Sequence, residues 1–118
     1  MSPDPMSATP TVVEATRENF RDLVAEGTVL VDVWGPDCRH CLALMPHVEA
    51  LAQRYDGEVR VVKLEAPKAR RLCMELGIMG MPAFVMFRDG EEVGRLADPA
   101  LSPDRLNQWV DQQTEEVS

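Results

Sequence analysis

Positive charge is scarce in this chain: twelve lysines and arginines stand against twenty aspartates and glutamates, a formal charge of −8 over 118 residues. No basic face is left for nucleic acid or an anionic membrane, and the acidic excess favours solubility. No apolar run approaches the length needed to cross a bilayer, and residues 1–10 contain no basic segment followed by an apolar one. The expected setting is the cytoplasm. Gly-rich nucleotide loops and internal repeats are also missing. Cysteine is limited to three residues, two of them in one tight motif, unlike the paired framework of a small secreted protein. The apolar fraction of 45% is enough for a core of one domain, so neither a metal nor a structural disulfide is required to hold it.

The chain is arranged around one stretch, from Val29 to Pro46. Val29, Leu30, Val31 and Val33 favour a buried strand interrupted only by Asp32, while Leu42, Met45, Val48 and Leu51 recur at helical spacing. Cys38 and Cys41 therefore fall where a strand passes into a helix. The first helical turn has unpaired N–H groups and the positive end of the dipole, and both stabilise a thiolate. A Cys-x-x-Cys pair in that place reads as a dithiol redox site. Pro46, inside the helix, removes one backbone bond and should bend the axis.

Around this stretch, residues 1–10 are rich in proline and small polar residues and are expected to form a flexible extension to a domain over residues 11–118. Thr11 to Val13 open a short strand, Thr16 caps a helix carrying Phe20, Leu23 and Val24, and Gly27 ends it. After the cysteine helix and Gly57, Val59 to Leu64 predict another buried strand. Pro67 then suits the first turn of a helix running through Leu72 and Leu76 to Gly77. Strand character returns from Met81 to Phe87, Asp89-Gly90 signals a tight hairpin, and Val93 to Leu96 complete an antiparallel pair. Ser102-Pro103 starts a last helix, with Leu101 stapled to Leu106, an apolar stripe of Leu106, Trp109 and Val110, and an acidic end at Asp111, Glu115 and Glu116. The order β-α-β-α-β-α-β-β-α predicts an α/β domain: a mixed sheet with helices on both faces.

Several residues carry two meanings. The cysteine pair is a redox dithiol or a structural bridge; zinc would need four ligands, and His47 and Cys73 are far from the pair in sequence. Asp32 lies in an apolar strand where an unpaired carboxylate is costly, so it is a proton-transfer residue or a structural acid bonded to Lys63 or the backbone. Lys63 alone reads as a strand residue with a packed stem and a solvated amine. Arg39 and His40 favour a thiolate, His40 most when protonated, and Asp37 opposes it; otherwise all three form a charged rim. Trp34 supports the site surface or simply packs. Trp109 anchors the last helix, Cys73 sits beside Leu72 on a buried face as an inert thiol or a regulatory or intermolecular one, and Met45, Met81 and Met86 pack or form a soft substrate surface. Pro82 begins an edge strand, or a cis Met81-Pro82 bond presents backbone to an extended peptide.

Taken together, Asp32, Trp34, Cys38-Arg39-His40-Cys41, Pro46, Lys63, Gly80-Met81-Pro82 and the terminal amphipathic helix follow one another as in the thioredoxin family, which the chain resembles over roughly residues 11–117. The resemblance implies a thioredoxin fold and a protein disulfide oxidoreductase. It makes Cys38 the attacking and Cys41 the resolving cysteine, Asp32 the buried acid, Lys63 its basic neighbour and Pro82 a cis-proline beside the dithiol. Trp34, Met81 and Pro82 become substrate-binding residues, and Asp37, Arg39 and His40 tune the pair. It implies disulfide-containing client proteins, a flavoprotein thioredoxin reductase or related electron donor, a monomer, and no cofactor or metal of its own. Family members usually carry tryptophan before the first cysteine, Gly-Pro between the two, and glycine after the last strand. Here Asp37, Arg39-His40 and Asp98-Pro99 stand in those places. The histidine before Cys41 keeps an oxidising or isomerising activity in view, and a redox-sensing interaction module is the non-enzymatic alternative.

Overall fold

The computed structural model describes residues 12–115; the expected extension over residues 1–10, together with Thr11 and Glu116, lies outside them. The elements are β1 (Val12–Ala15), α1 (Phe20–Leu23), β2 (Thr28–Trp34), α2 (Arg39–Arg54), β3 (Val59–Glu65), a 3₁₀ turn (Ala66–Lys68), α3 (Arg70–Glu75), β4 (Ala83–Arg88), β5 (Glu91–Ala97) and α4 (Pro103–Glu115). The five strands form one sheet in the order β1-β3-β2-β4-β5. β3 is parallel to both β1 and β2, while β4 runs antiparallel to β2 and β5. The expected mixed α/β sheet is present.

Side chains alternate across the strands, so each strand contributes to two cores. On one face Val29, Val31, Val33, Val62, Leu64, Val85 and Phe87 pack with Phe20 and Val24 from the α1 region and Leu72 and Cys73 from α3. On the other, Leu30, Val61, Phe84, Met86 and Leu96 meet Leu44, Val48 and Leu51 of α2 and Leu106, Trp109 and Val110 of α4. Asp32 belongs to this second face and is the one buried charged residue among those described.

Local chemistry explains the boundaries. Thr16 Oγ1 accepts from Asn19 N–H at 3.2 Å, and Asn19 Oδ1 accepts in return from Thr16 N–H at 2.6 Å, a reciprocal cap at the entry to α1. Ser102 Oγ accepts from Arg105 N–H at 3.1 Å, with Leu101 and Leu106 both fully buried. Asp89 and Gly90 have φ of 51° and 89°, so they form the two-residue turn with positive φ at both central positions that suits a twisted hairpin.

Two expectations need correction. Leu42 is exposed at 44%, whereas Cys41, Leu44, Val48, Leu51 and Ala52 form the buried face of α2. Leu42 and Val48 are six positions apart, about 120° around the helix, and cannot share one narrow stripe. Nor does a single helix run from Pro67 to Leu76. Ala69 has φ of −138° and is buried in the core, which separates the 3₁₀ turn from α3. Pro46 lies inside α2 without ending it.

Candidate active site

β2 delivers the chain to a turn at Gly35, whose carbonyl accepts from Cys38 N–H at 3.1 Å. Cys38 is the extended N-cap of α2, and its Sγ accepts from Cys41 N–H at 3.1 Å. A sulfur in this position takes up a backbone donor that the helix cannot satisfy internally, which stabilises negative charge on it. Cys38 and Cys41 are joined as a disulfide, with Cα atoms 5.2 Å apart. Their surroundings differ. Cys38 is half-buried, while Cys41 is 2% exposed and faces the core. One sulfur is reachable from outside and the other is shielded behind it.

The sheet register sets a row of polar groups beside this turn. Lys63 on β3 pairs with Asp32 on β2, and Asp32 with Phe84 on β4, two residues beyond Pro82. Asp32 is 2% exposed, and its Oδ2 has no hydrogen-bond partner among the described residues. Burial raises its carboxyl to about 7, with the Lys63 charge acting in the opposite sense. Lys63 makes no close ion pair with it; the Lys63 ammonium lies 5.6 Å from the centre of the Trp34 ring. Trp34 is thus a platform for the lysine as well as a packing residue.

His40 faces away from a purely local role. Its Nε2 donates to the carbonyl of Leu101, in the loop between β5 and α4, tying the start of the cysteine helix to the segment that holds Asp98-Pro99. Asp37 and Arg39 are exposed. Across the site, the Met81-Pro82 bond is cis, Pro82 is buried and Met81 is partly exposed.

Two contacts that position the site have no signal in the local sequence. A Cβ on Gly35 would lie 3.2 Å from Met81 Cε and 3.3 Å from its Sδ, so glycine there lets the Met81 thioether close over the turn before Cys38. Arg95 on β5 donates to the carbonyls of Gly77 at 2.9 Å and Leu76 at 2.5 Å while paired to Glu92 at 2.8 Å. Gly77, with φ of 71°, already closes α3 through bonds from its own N–H to Met74 O and from Ile78 N–H to Cys73 O. Arg95 adds a cation at that helix end and anchors the segment that leads to Pro82. Among the described residues no group of three His, Cys, Asp or Glu side chains is placed to hold a metal ion.

The thioredoxin family profile matches residues 11–112. Thioredoxin C-2 of Corynebacterium nephridii is 38% identical over 109 residues, covering 91% of this chain and 98% of that protein. The thioredoxin of Peptoclostridium acidaminophilum is 40% identical over 101 residues, 84% of this chain and 92% of its own length. Protein disulfide-isomerase A3 of Gallus gallus is 40% identical over 90 residues, 75% of this chain but 18% of that protein. No described helix is long and apolar enough to cross a membrane. Since the matched span takes in all five strands and the turn that bonds Cys38 to Cys41, the chain belongs to the thioredoxin family and is a thiol-disulfide oxidoreductase.

Proposed function

We propose that the protein reduces disulfides of client proteins in the cytoplasm as a monomer, and is itself reduced by a flavoprotein thioredoxin reductase or a related donor. The Cys38 thiolate attacks a client disulfide, forming a mixed disulfide and releasing one client thiolate. Asp32 accepts the Cys41 proton, and the Cys41 thiolate attacks Cys38 Sγ. The second client thiolate leaves, and the Cys38–Cys41 disulfide remains. The two electrons and the two protons of the dithiol end on the client. An acid held at about 7 suits this step, because it both takes and returns a proton near neutrality. Trp34, Met81 and Pro82 bind the client, Trp34 and Met81 at the surface and the buried Pro82 behind them, with the Met81 backbone aligning an extended segment. Asp37, Arg39 and His40 set the balance between the two redox forms.

The observation that carries this reading is the unequal burial of the two bonded cysteines, one half-exposed at a helix N-cap and one at 2%. Cys41→Ser should accumulate mixed disulfides with client proteins through Cys38, identified by mass spectrometry of the linked peptides. Adducts through Cys73 in that variant, or equal trapping by Cys38→Ser, would overturn the assignment. A second reading, oxidation or isomerisation of client disulfides, is favoured by His40 preceding Cys41 and by the similarity to a protein disulfide-isomerase. Equilibration with glutathione decides between them. Thioredoxins lie near about −270 mV and disulfide isomerases near about −180 mV, and an intermediate potential is expected here.

A further inference from the structure

The row that contains Asp32 does not end at Lys63. On the edge strand, Glu14 is the register partner of Lys63, so Glu14, Lys63, Asp32, Phe84 and Leu96 run across all five strands on one face of the sheet. The charge order is negative, positive, negative, and exposure falls along it from exposed Glu14 to half-buried Lys63 to buried Asp32. Lys63 is therefore the register neighbour of two acidic residues, each on an adjacent strand about 4.8 Å away. It is committed to neither: it lies over the Trp34 ring, and no ion pair within 4 Å joins it to either acid among the described residues.

We propose that Glu14 is a positioning residue for the redox site: its carboxylate competes with Asp32 for the Lys63 ammonium and so sets how readily Asp32 gives up and takes back a proton. This rests on the proton-transfer role given to Asp32 above. Glu14 also borders a surface pocket with Arg17, Glu18, Glu65 and Lys68, where Arg17 pairs with Glu18 and Lys68 with Glu65. Glu65, two residues along β3, lies 3.6 Å from Lys68, and the cysteine pair does not titrate while bonded. β4 and β5 add Phe84 and Leu96, and α4 buries Leu106, Trp109 and Val110. His40 is turned to the Leu101 carbonyl, while Tyr55 and Asp111 bond each other at the opposite end of α2.

Removing the Glu14 charge acts on Asp32 in one direction by two routes. It takes away a like charge roughly 10 Å distant, and it leaves Lys63 to Asp32 alone; both favour the Asp32 carboxylate. The position is exposed and outside both core clusters, so substitution there spares the fold.

The test is carboxyl-carbon NMR of the oxidised protein labelled in aspartate, with Asp32→Asn assigning the resonance. Glu14→Gln should lower the Asp32 titration midpoint by about half a pH unit, the size expected for partial access to a neighbouring unit charge. Glu14→Asp should restore the wild-type midpoint. In a Lys63→Met background, Glu14→Gln should move the midpoint by less than half as much. An unchanged midpoint in Glu14→Gln would overturn the proposal, and so would an equal shift with and without Lys63, which would make Glu14 an ordinary surface charge. The pH profile for resolution of a trapped mixed disulfide should follow the NMR midpoint. A midpoint that moves while this profile does not supports the sharing of Lys63 and overturns instead the proton-transfer role of Asp32.

Discussion

The two faces of the sheet are built from the same strands but do different work. The face under α1 and α3 is apolar at its centre, with Arg60 and Arg95 only at its margins, and contains a cysteine, Cys73, that is 7% exposed and whose thiol is pushed up by burial. The face under α2 and α4 is equally closed at its centre, yet it admits Asp32, with Lys63 and Glu14 on the next two strands toward the edge. Its cysteines sit at a helix N-terminus, one of them half-exposed. Burial alone makes a thiol inert; burial of one partner beside an accessible sulfur and a protonatable acid makes a site.

The sharpest way to break the comparison is to exchange cysteine for serine on each face. Cys38→Ser should reduce disulfide turnover on the order of a thousandfold or more, whereas Cys73→Ser should leave it within about twofold, since no step of the proposed cycle uses that thiol. Equal losses in a protein-disulfide reduction assay would show that the faces are not functionally distinct.

Asp32 gives the next largest effect, and its sign is opposite to that of a core truncation. Its folded-state value is raised from 3.8 to about 7, so the folded protein binds this proton more tightly than the unfolded chain. Its contribution is therefore most favourable below 3.8, is lost as pH rises through the window from 3.8 to about 7, and is constant above it. The full span is about 4 kcal/mol as an upper figure, from roughly three pH units at about 1.4 kcal/mol each. Asp32→Asn should be more stable than wild type at pH 8, with no advantage near pH 4, in urea unfolding followed across that range. It should also slow resolution of the mixed disulfide.

On the apolar face, Phe20 is fully buried and meets Phe87 edge-on with ring centres 5.6 Å apart. Phe20→Ala should cost about 3–4 kcal/mol in the same unfolding measurement and leave the redox potential unchanged. A shifted potential would show that the two faces are coupled through the strands. The smallest effect belongs to His40. Its replacement by proline should lower the potential by roughly 30 mV, about 1.4 kcal/mol for two electrons, read by glutathione equilibration. No change would leave the Leu101 contact as its whole contribution.

The elements themselves are legible in the sequence. Apolar runs marked β2 and β3, Asp89-Gly90 the hairpin, and Ser102-Pro103 the start of α4, because each depends on chemistry within a few residues. The Cys38–Cys41 pair was legible for the same reason: one helical turn brings both sulfurs together. Where several apolar registers overlapped, as with Leu42 beside Cys41 and Leu44, periodicity placed Val48 and Leu51 correctly but wrongly added Leu42 to the buried stripe. Ala69 broke the predicted α3 because its place in the core outweighed the helical preference around it.

By itself, then, the sequence determined that strands and helices alternate, that a dithiol opens a helix, and that an acid lies in a buried strand. Tertiary structure decided which strands are neighbours, and with that everything that acts between them. Glu14 and Lys63 meet through the β1–β3 register, His40 reaches Leu101 across 61 positions, and Arg95 reaches the end of α3. The physical reason is range: a cap, a turn or an amphipathic stripe is complete within a few residues. A charge row or a cross-strand contact exists only once the core has selected the order and register that bury the most apolar surface.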